Sequence, residues 1–236
     1  MNYLHIIGML LRQIYLLRHS SLRVASLFYW TTIELFLWGF ITLWLKDITV
    51  PDVKIIVGVS LLGALIFWQI FYRAQQSVAV SFLEDIWTRN IVNIFASPLT
   101  TREFVVSLIF ISVIDSILSI SLLAFLAWIL YAFHIWSLGF YFLPFFVNML
   151  VFGWALGFLT IGLLIRFGAA FEILAWSIPI LVQPISGVFY PISILPEFWQ
   201  NIAFFLPTAH LFEGMRTVIL SHTFPVENIL MATILN

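Results

Sequence analysis

The chain has no cysteine, so disulfides, thiol catalysis and thiolate metal sites are excluded. Charge is nearly as scarce: 9 % of the residues are Asp, Glu, Lys or Arg and they sum to a net charge of −1. That leaves no concentrated basic surface of the kind nucleic acid requires, and no nucleic-acid partner is expected. No G-x-x-x-x-G-K-[ST] loop occurs to cradle nucleotide phosphates, and no H-E-x-x-H pair offers zinc ligands. The five histidines are scattered, so no metal site and no bound cofactor are expected. What is present is apolar: 63 % of 236 residues are hydrophobic and 18 % aromatic, against about 45–50 % apolar in soluble domains. The composition is that of a membrane protein.

Runs of about 20 apolar residues, enough for about 30 Å of hydrocarbon, predict an all-α polytopic fold. The expected spans are 24–45, 55–80, 104–131, 140–165 and 171–190. Pro191, Pro196 and Pro207 then break the pattern. Phe198 to Leu206 is too short to cross, at about 14 Å as a helix, so residues 196–220 are expected to form an outer re-entrant or interfacial segment. Residues 226–236 read as the start of a sixth span or as a stretch ending outside, and the whole chain as one transmembrane domain. The N-terminus lacks the layout of a cleaved signal peptide. In residues 2–20, His5, Arg12 and His19 share one helical face while Tyr3, Ile7, Leu10, Ile14 and Leu17 gather opposite. The segment reads as a helix in the headgroup plane or as an extension of the first span. Placing the N-terminus in the cytoplasm puts Arg12, Arg18, Arg23, Arg73, Arg89, Arg102 and Arg166 inside and Lys46, Lys54 and Arg216 outside, the orientation that positive charge favours.

Several polar groups stand out in so apolar a chain. Residues 82–97 combine apolar Trp87, Ile91, Ile94 and Phe95 with Glu84, Asp85, Arg89 and Asn93. They predict a short amphipathic helix, discouraged from continuing by Pro98, that rests on headgroups or fills a groove on a partner. Glu34 and Asp115 fall inside spans, where a carboxylate either faces a pathway or hydrogen-bonds a neighbouring helix. His210, Glu213 and Arg216 follow at spacing three, which suits a local Glu–Arg pair. Gly153 and Gly157 form G-x-x-x-G and permit close helix packing.

Two stretches carry a family resemblance. FLEDIWTRNIVNIFASPLTTREF, residues 82–104, resembles the cytoplasmic loop between the second and third spans of ABC-2 type exporter permeases. QPISGVFYPISILPEFWQ, residues 183–200, with the LPTAHLFEGMR that ends at Arg216, is similar to that family's fifth span and outer re-entrant segment. The resemblance implies the membrane subunit of an ATP-driven exporter in a bacterial inner (plasma) membrane. It implies pairing with a second permease copy, contact with membrane lipids, and a separate ABC nucleotide-binding subunit that uses ATP and Mg. By the same resemblance residues 84–96 form the coupling helix on that subunit, with Trp87, Ile91 and Phe95 as apolar anchors and Glu84, Asp85 and Arg89 as polar contacts. Glu34, Trp38, Gln183 and Phe189 are its candidates for the translocation path. An ATP-independent secondary carrier or channel is the alternative. Related permeases handle drugs, lipids, polysaccharides and lipid-linked glycans, and nothing in the residues separates these.

Overall fold

The computed structural model describes the backbone of residues 2–19, 21–48, 51–134, 139–221 and 223–236. Within these, it does not describe the side chains of residues 17, 21–24, 26–27, 46–48, 51–59, 169 and 220–221. Arg23, Lys46 and Lys54 of the charge count therefore lie outside the described side chains. The described residues form ten α-helices and no strand: α1 Tyr3–His19, α2 Ser21–Ile48, α3 Pro51–Trp87, α4 Ile91–Ala96, α5 Thr101–Tyr131, α6 Phe142–Phe167, α7 Leu174–Ile185, α8 Glu197–Phe204, α9 Pro207–Ser221 and α10 Val226–Leu235. Stretches of three of them, Phe28–Leu45, Thr101–Tyr131 and Gly139–Phe167, are long and apolar enough to cross a membrane. The chain is an all-α polytopic membrane protein.

The organising element is α3. Its 37 residues measure about 55 Å, well beyond the hydrocarbon thickness, and it packs against α2, α5 and α6. Leu65, Phe67, Ile70, Phe71, Ala74 and Val78 are almost completely buried, as expected of a helix with neighbours on every side. Helix α6 approaches closely because Gly153 and Gly157 face it. A Cβ at Gly153 would lie 2.6 Å from the Ala74 Cβ and 2.8 Å from the Phe71 carbonyl, and one at Gly157 2.9 Å from the Val78 Cβ. The G-x-x-x-G motif is thus used within the chain, between α6 and α3.

The structure departs from the sequence expectation in three places. The single amphipathic helix expected over 82–97 is two pieces. Glu84, Asp85 and Trp87 belong to the last turns of α3, which ends in a Schellman motif: the Arg89 N–H donates to the Ile86 carbonyl and the Asn90 N–H to the Asp85 carbonyl, both at 2.9 Å. Arg89 takes the left-handed conformation at φ 55°, a position usually held by glycine, so composition gave no stop signal. Helix α5 then begins on a capping box, with the Thr100 hydroxyl accepting from the Glu103 N–H and the Glu103 carboxylate accepting from the Thr100 N–H.

The second departure is the expected span 171–190. Its helix, α7, has 12 residues with Pro179 and Pro184 inside, about 18 Å of helix. The chain then turns at Gly187, φ 59°. Arg216 holds this turn, its Nη2 donating to the carbonyls of Gly187 and, at 2.6 Å, Tyr190. Glu213 accepts from the Ile192 N–H at 2.9 Å and meets Arg216 at 3.2 Å. The expected Glu–Arg pair is present and also folds the 187–192 loop onto α9. His210 donates to the Phe204 carbonyl at 2.8 Å. The third departure is Arg73, counted above among the charges on the cytoplasmic side. It is buried inside α3, at 7 % exposure, because the helix continues 14 residues past it.

Helix α1 lies across the end of the bundle formed by the C-terminus of α3 and the N-terminus of α5. Its apolar residues Tyr3, Leu4, Ile7, Leu11 and Ile14 are exposed. Two members of the polar face turn inward, Arg12 pairing with Asp85 and His5 with Glu103 at 3.1 Å, while the third, His19, is exposed.

Candidate functional site

Between α2, α3, α5 and α7 the bundle holds an open cavity of about 580 Å³. Trp30 and Glu34 of α2 form one wall, Asp115 of α5 another, and Trp176, Pro179, Ile180 and Gln183 of α7 a third. Helix α3 supplies the floor from Trp68 to Glu84, about 24 Å along its axis. Its polar run explains the cavity: Tyr72, Arg73, Gln76, Ser77 and Ser81 present hydrogen-bonding groups where an all-apolar helix would have packed shut.

Within this lining the polar groups are cross-linked. Gln69 donates to Glu34 at 2.5 Å, tying α3 to α2. Arg73 donates to the Thr31 hydroxyl at 2.6 Å, and the Ser77 hydroxyl to Asp115 at 2.6 Å. Gln76 donates to the Ala175 carbonyl at the start of α7. Glu34 and Asp115 therefore hydrogen-bond neighbouring helices, as one of the two sequence readings has it, and also line the cavity. Gln183 lines the cavity as well. Trp38 and Phe189 do not; they stack on each other, ring centres 3.5 Å apart and 21° from parallel, one helical turn beyond Glu34 and away from α1. Sequence reasoning missed Arg73, Gln76 and Ser77, whose only signal was the R-A-Q-Q-S run within an apolar helix.

The residues proposed from 84 to 95 do not act as one face. Glu84 is half-buried at the cavity's α1 end. Asp85 is 1 % exposed and accepts from both Nη atoms of Arg12, Nη1 at 3.3 Å, so it is an internal contact and is unavailable as a polar contact to a partner. The Trp87 ring stacks on Trp176, 6.2 Å between centres, and its Nε1 donates to Glu172 at 3.0 Å, bridging α3 to the turn before α7. Ile91 packs with buried Ile94 into the apolar cluster around Phe82 and Phe104. Arg89, Val92, Asn93 and Phe95 are exposed on the turn and α4, and Trp87 keeps 50 % exposure beside its contacts with Trp176 and Glu172. Val92, 71 % exposed, was not singled out by sequence reasoning because its neighbours Trp87 and Phe95 are larger.

No curated protein is significantly similar to the chain. The sequence profile of the ABC-2 type transporter family, however, matches residues 9–220, from within α1 nearly to the end of α9. A match over that length, on a polytopic helical bundle, shows that the chain belongs to the ABC-2 type transporter family and is the membrane permease component of an ABC transporter.

Proposed function

We propose that this permease moves its cargo outward through the α2–α3–α5–α7 cavity, driven by a separate ATP-hydrolysing subunit seated on the turn between α3 and α5. In this reading the chain lies in a bacterial inner membrane with its N-terminus in the cytoplasm, and a second permease copy completes the path. ATP and Mg belong to the partner subunit. The observation that carries the proposal is the continuity of α3. One rigid helix supplies the cavity floor from Trp68 to Glu84 and ends at once in the exposed turn of Arg89, with Val92 and Phe95 just beyond it on α4.

A push on that turn moves the Arg73, Gln76 and Ser77 floor without any intervening hinge, which suits transmission by a rigid element with two positions. The left-handed Arg89 supports a built feature, since a non-glycine residue holds that conformation only where its surroundings require it. The Trp38–Phe189 stack closes the far end of the path in this state.

The docking half is tested by substitution on the outward residues alone. Val92→Asp places a charge in the middle of the contact and is expected to reduce copurification of the ATPase subunit about tenfold or more, the cost of burying an unpaired charge. Phe95→Ala should give a smaller loss. Equal recovery of the ATPase with wild type and Val92→Asp would remove this surface from the contact.

A further inference from the structure

The cavity's chemistry bears on what passes through it. Among the described lining residues three are carboxylates, Glu34, Glu84 and Asp115, and one is a guanidinium, Arg73. Three donors on the floor are turned to the protein itself, Arg73 to Thr31, Gln76 to Ala175 and Ser77 to Asp115, and Glu34 and Asp115 each accept one internal hydrogen bond, from Gln69 and Ser77. The rings of Trp30, Trp68, Tyr72 and Trp176 also line it; Trp68 is 2 % exposed, Trp176 stacks on Trp87, and the Tyr72 ring already holds a cation, the Arg73 guanidinium 5.7 Å from its centre. Indole and phenol faces carry negative potential and attract cations. Carboxylates withdrawn from bulk water attract them further, with less screening than at a surface.

We propose that the cavity takes an organic cation, a positively charged nitrogen or phosphonium centre carried on an apolar or aromatic body. The inference rests on the reading of this cavity as the cargo path. A cation entering from the Glu84 end would meet carboxylates at both ends of the floor, Glu84 first and Glu34 deepest, with indole rings between. Polyanionic cargo meets a lining of its own sign and is disfavoured. A neutral glycan could stack on the rings but would gain nothing from the excess of negative charge.

The absence of native cysteine permits a direct test. Val80→Cys, a near-isosteric change on the cavity floor, reports occupancy through its rate of reaction with a maleimide, and Ile180→Cys on α7 provides a second reporter. The expected result is protection by tetraphenylphosphonium at concentrations roughly tenfold below those needed with neutral triphenylphosphine oxide. Tetraphenylborate, of the same shape and opposite charge, should protect less than tetraphenylphosphonium. Adding Glu34→Gln should raise the half-protecting concentration of the phosphonium about fivefold and leave that of the neutral compound unchanged. A second arm offers a double-chained trimethylammonium lipid in vesicles: protection by the soluble ion assigns an aqueous source, and protection by the lipid alone assigns the leaflet.

Labelling that the neutral compound or the anion blocks as well as the cation does would overturn the cargo class and leave the path reading intact. Cysteines that do not react at either position would overturn both.

Discussion

Gly153→Val is expected to yield no stably folded permease, whereas Gly162→Ala on the same helix is expected to be neutral or slightly stabilising. The two positions differ in what lies across from them. A Cβ at Gly153 meets the Ala74 Cβ at 2.6 Å, the Phe71 carbonyl at 2.8 Å and the Gln75 amide nitrogen at 3.2 Å, while nothing lies within 4 Å of one at Gly162. Two of the obstructing atoms at Gly153 are backbone of α3 and cannot rotate away, so the helices must separate. Overpacking by a single added group costs about 1–3 kcal/mol, and the branched valine exceeds it because α3 is fixed on its other sides by α2 and α5. Gly153→Ala should fall between, lowering thermal stability in detergent by about 1–3 kcal/mol. At Gly162 the gain in helix propensity, up to about 1 kcal/mol, is unopposed. Size-exclusion recovery and thermal unfolding of the three variants check the ordering.

The second large effect concerns the attachment of α1. Asp85 is 2 % exposed at its side chain and Arg12 28 %. Removing one partner from a fully buried ion pair costs about 3–5 kcal/mol. Arg12 keeps partial access to water, so Arg12→Gln should destabilise by roughly 1–3 kcal/mol after allowance for solvent screening. Most of that arises from the carboxylate left unpaired, so Asp85→Asn on the Arg12→Gln background should recover part of the loss. A double-mutant cycle on thermal unfolding measures it, and strictly additive effects would show that the pair does not hold the helix. Because α1 leads directly into α2 and α2 carries Glu34, loosening this contact should also uncouple the α2 wall of the cavity from the end of α3.

What the sequence made legible, and what it did not, follows from the kind of information each feature needs. The central parts of α2, α3, α5 and α6, the close approach at Gly153 and Gly157 and the Glu213–Arg216 pair depend on local spacing and were readable. The stop at Arg89 was not, because the left-handed cap there is held by hydrogen bonds to Asp85 and Ile86 and not by a glycine. The two faces of α1 were visible in the periodicity, yet periodicity does not say which face turns inward. Asp85 and Glu103, distant in sequence, decide that. The cavity escaped for a similar reason. Glu34 and Asp115 stood out as carboxylates inside spans, whereas Arg73 counted only toward the cytoplasmic charge until α3 placed it on the cavity floor.

The measurement closest to the central claim is the reaction rate of Val80→Cys in the complex with its ATPase subunit, with and without a non-hydrolysable ATP analogue. The account predicts fast labelling without nucleotide and a decrease of about tenfold when the analogue drives the α3–α4 turn and shifts the cavity floor. A rate unchanged by nucleotide, in a complex shown to bind it, would contradict the transmission of ATP binding through α3.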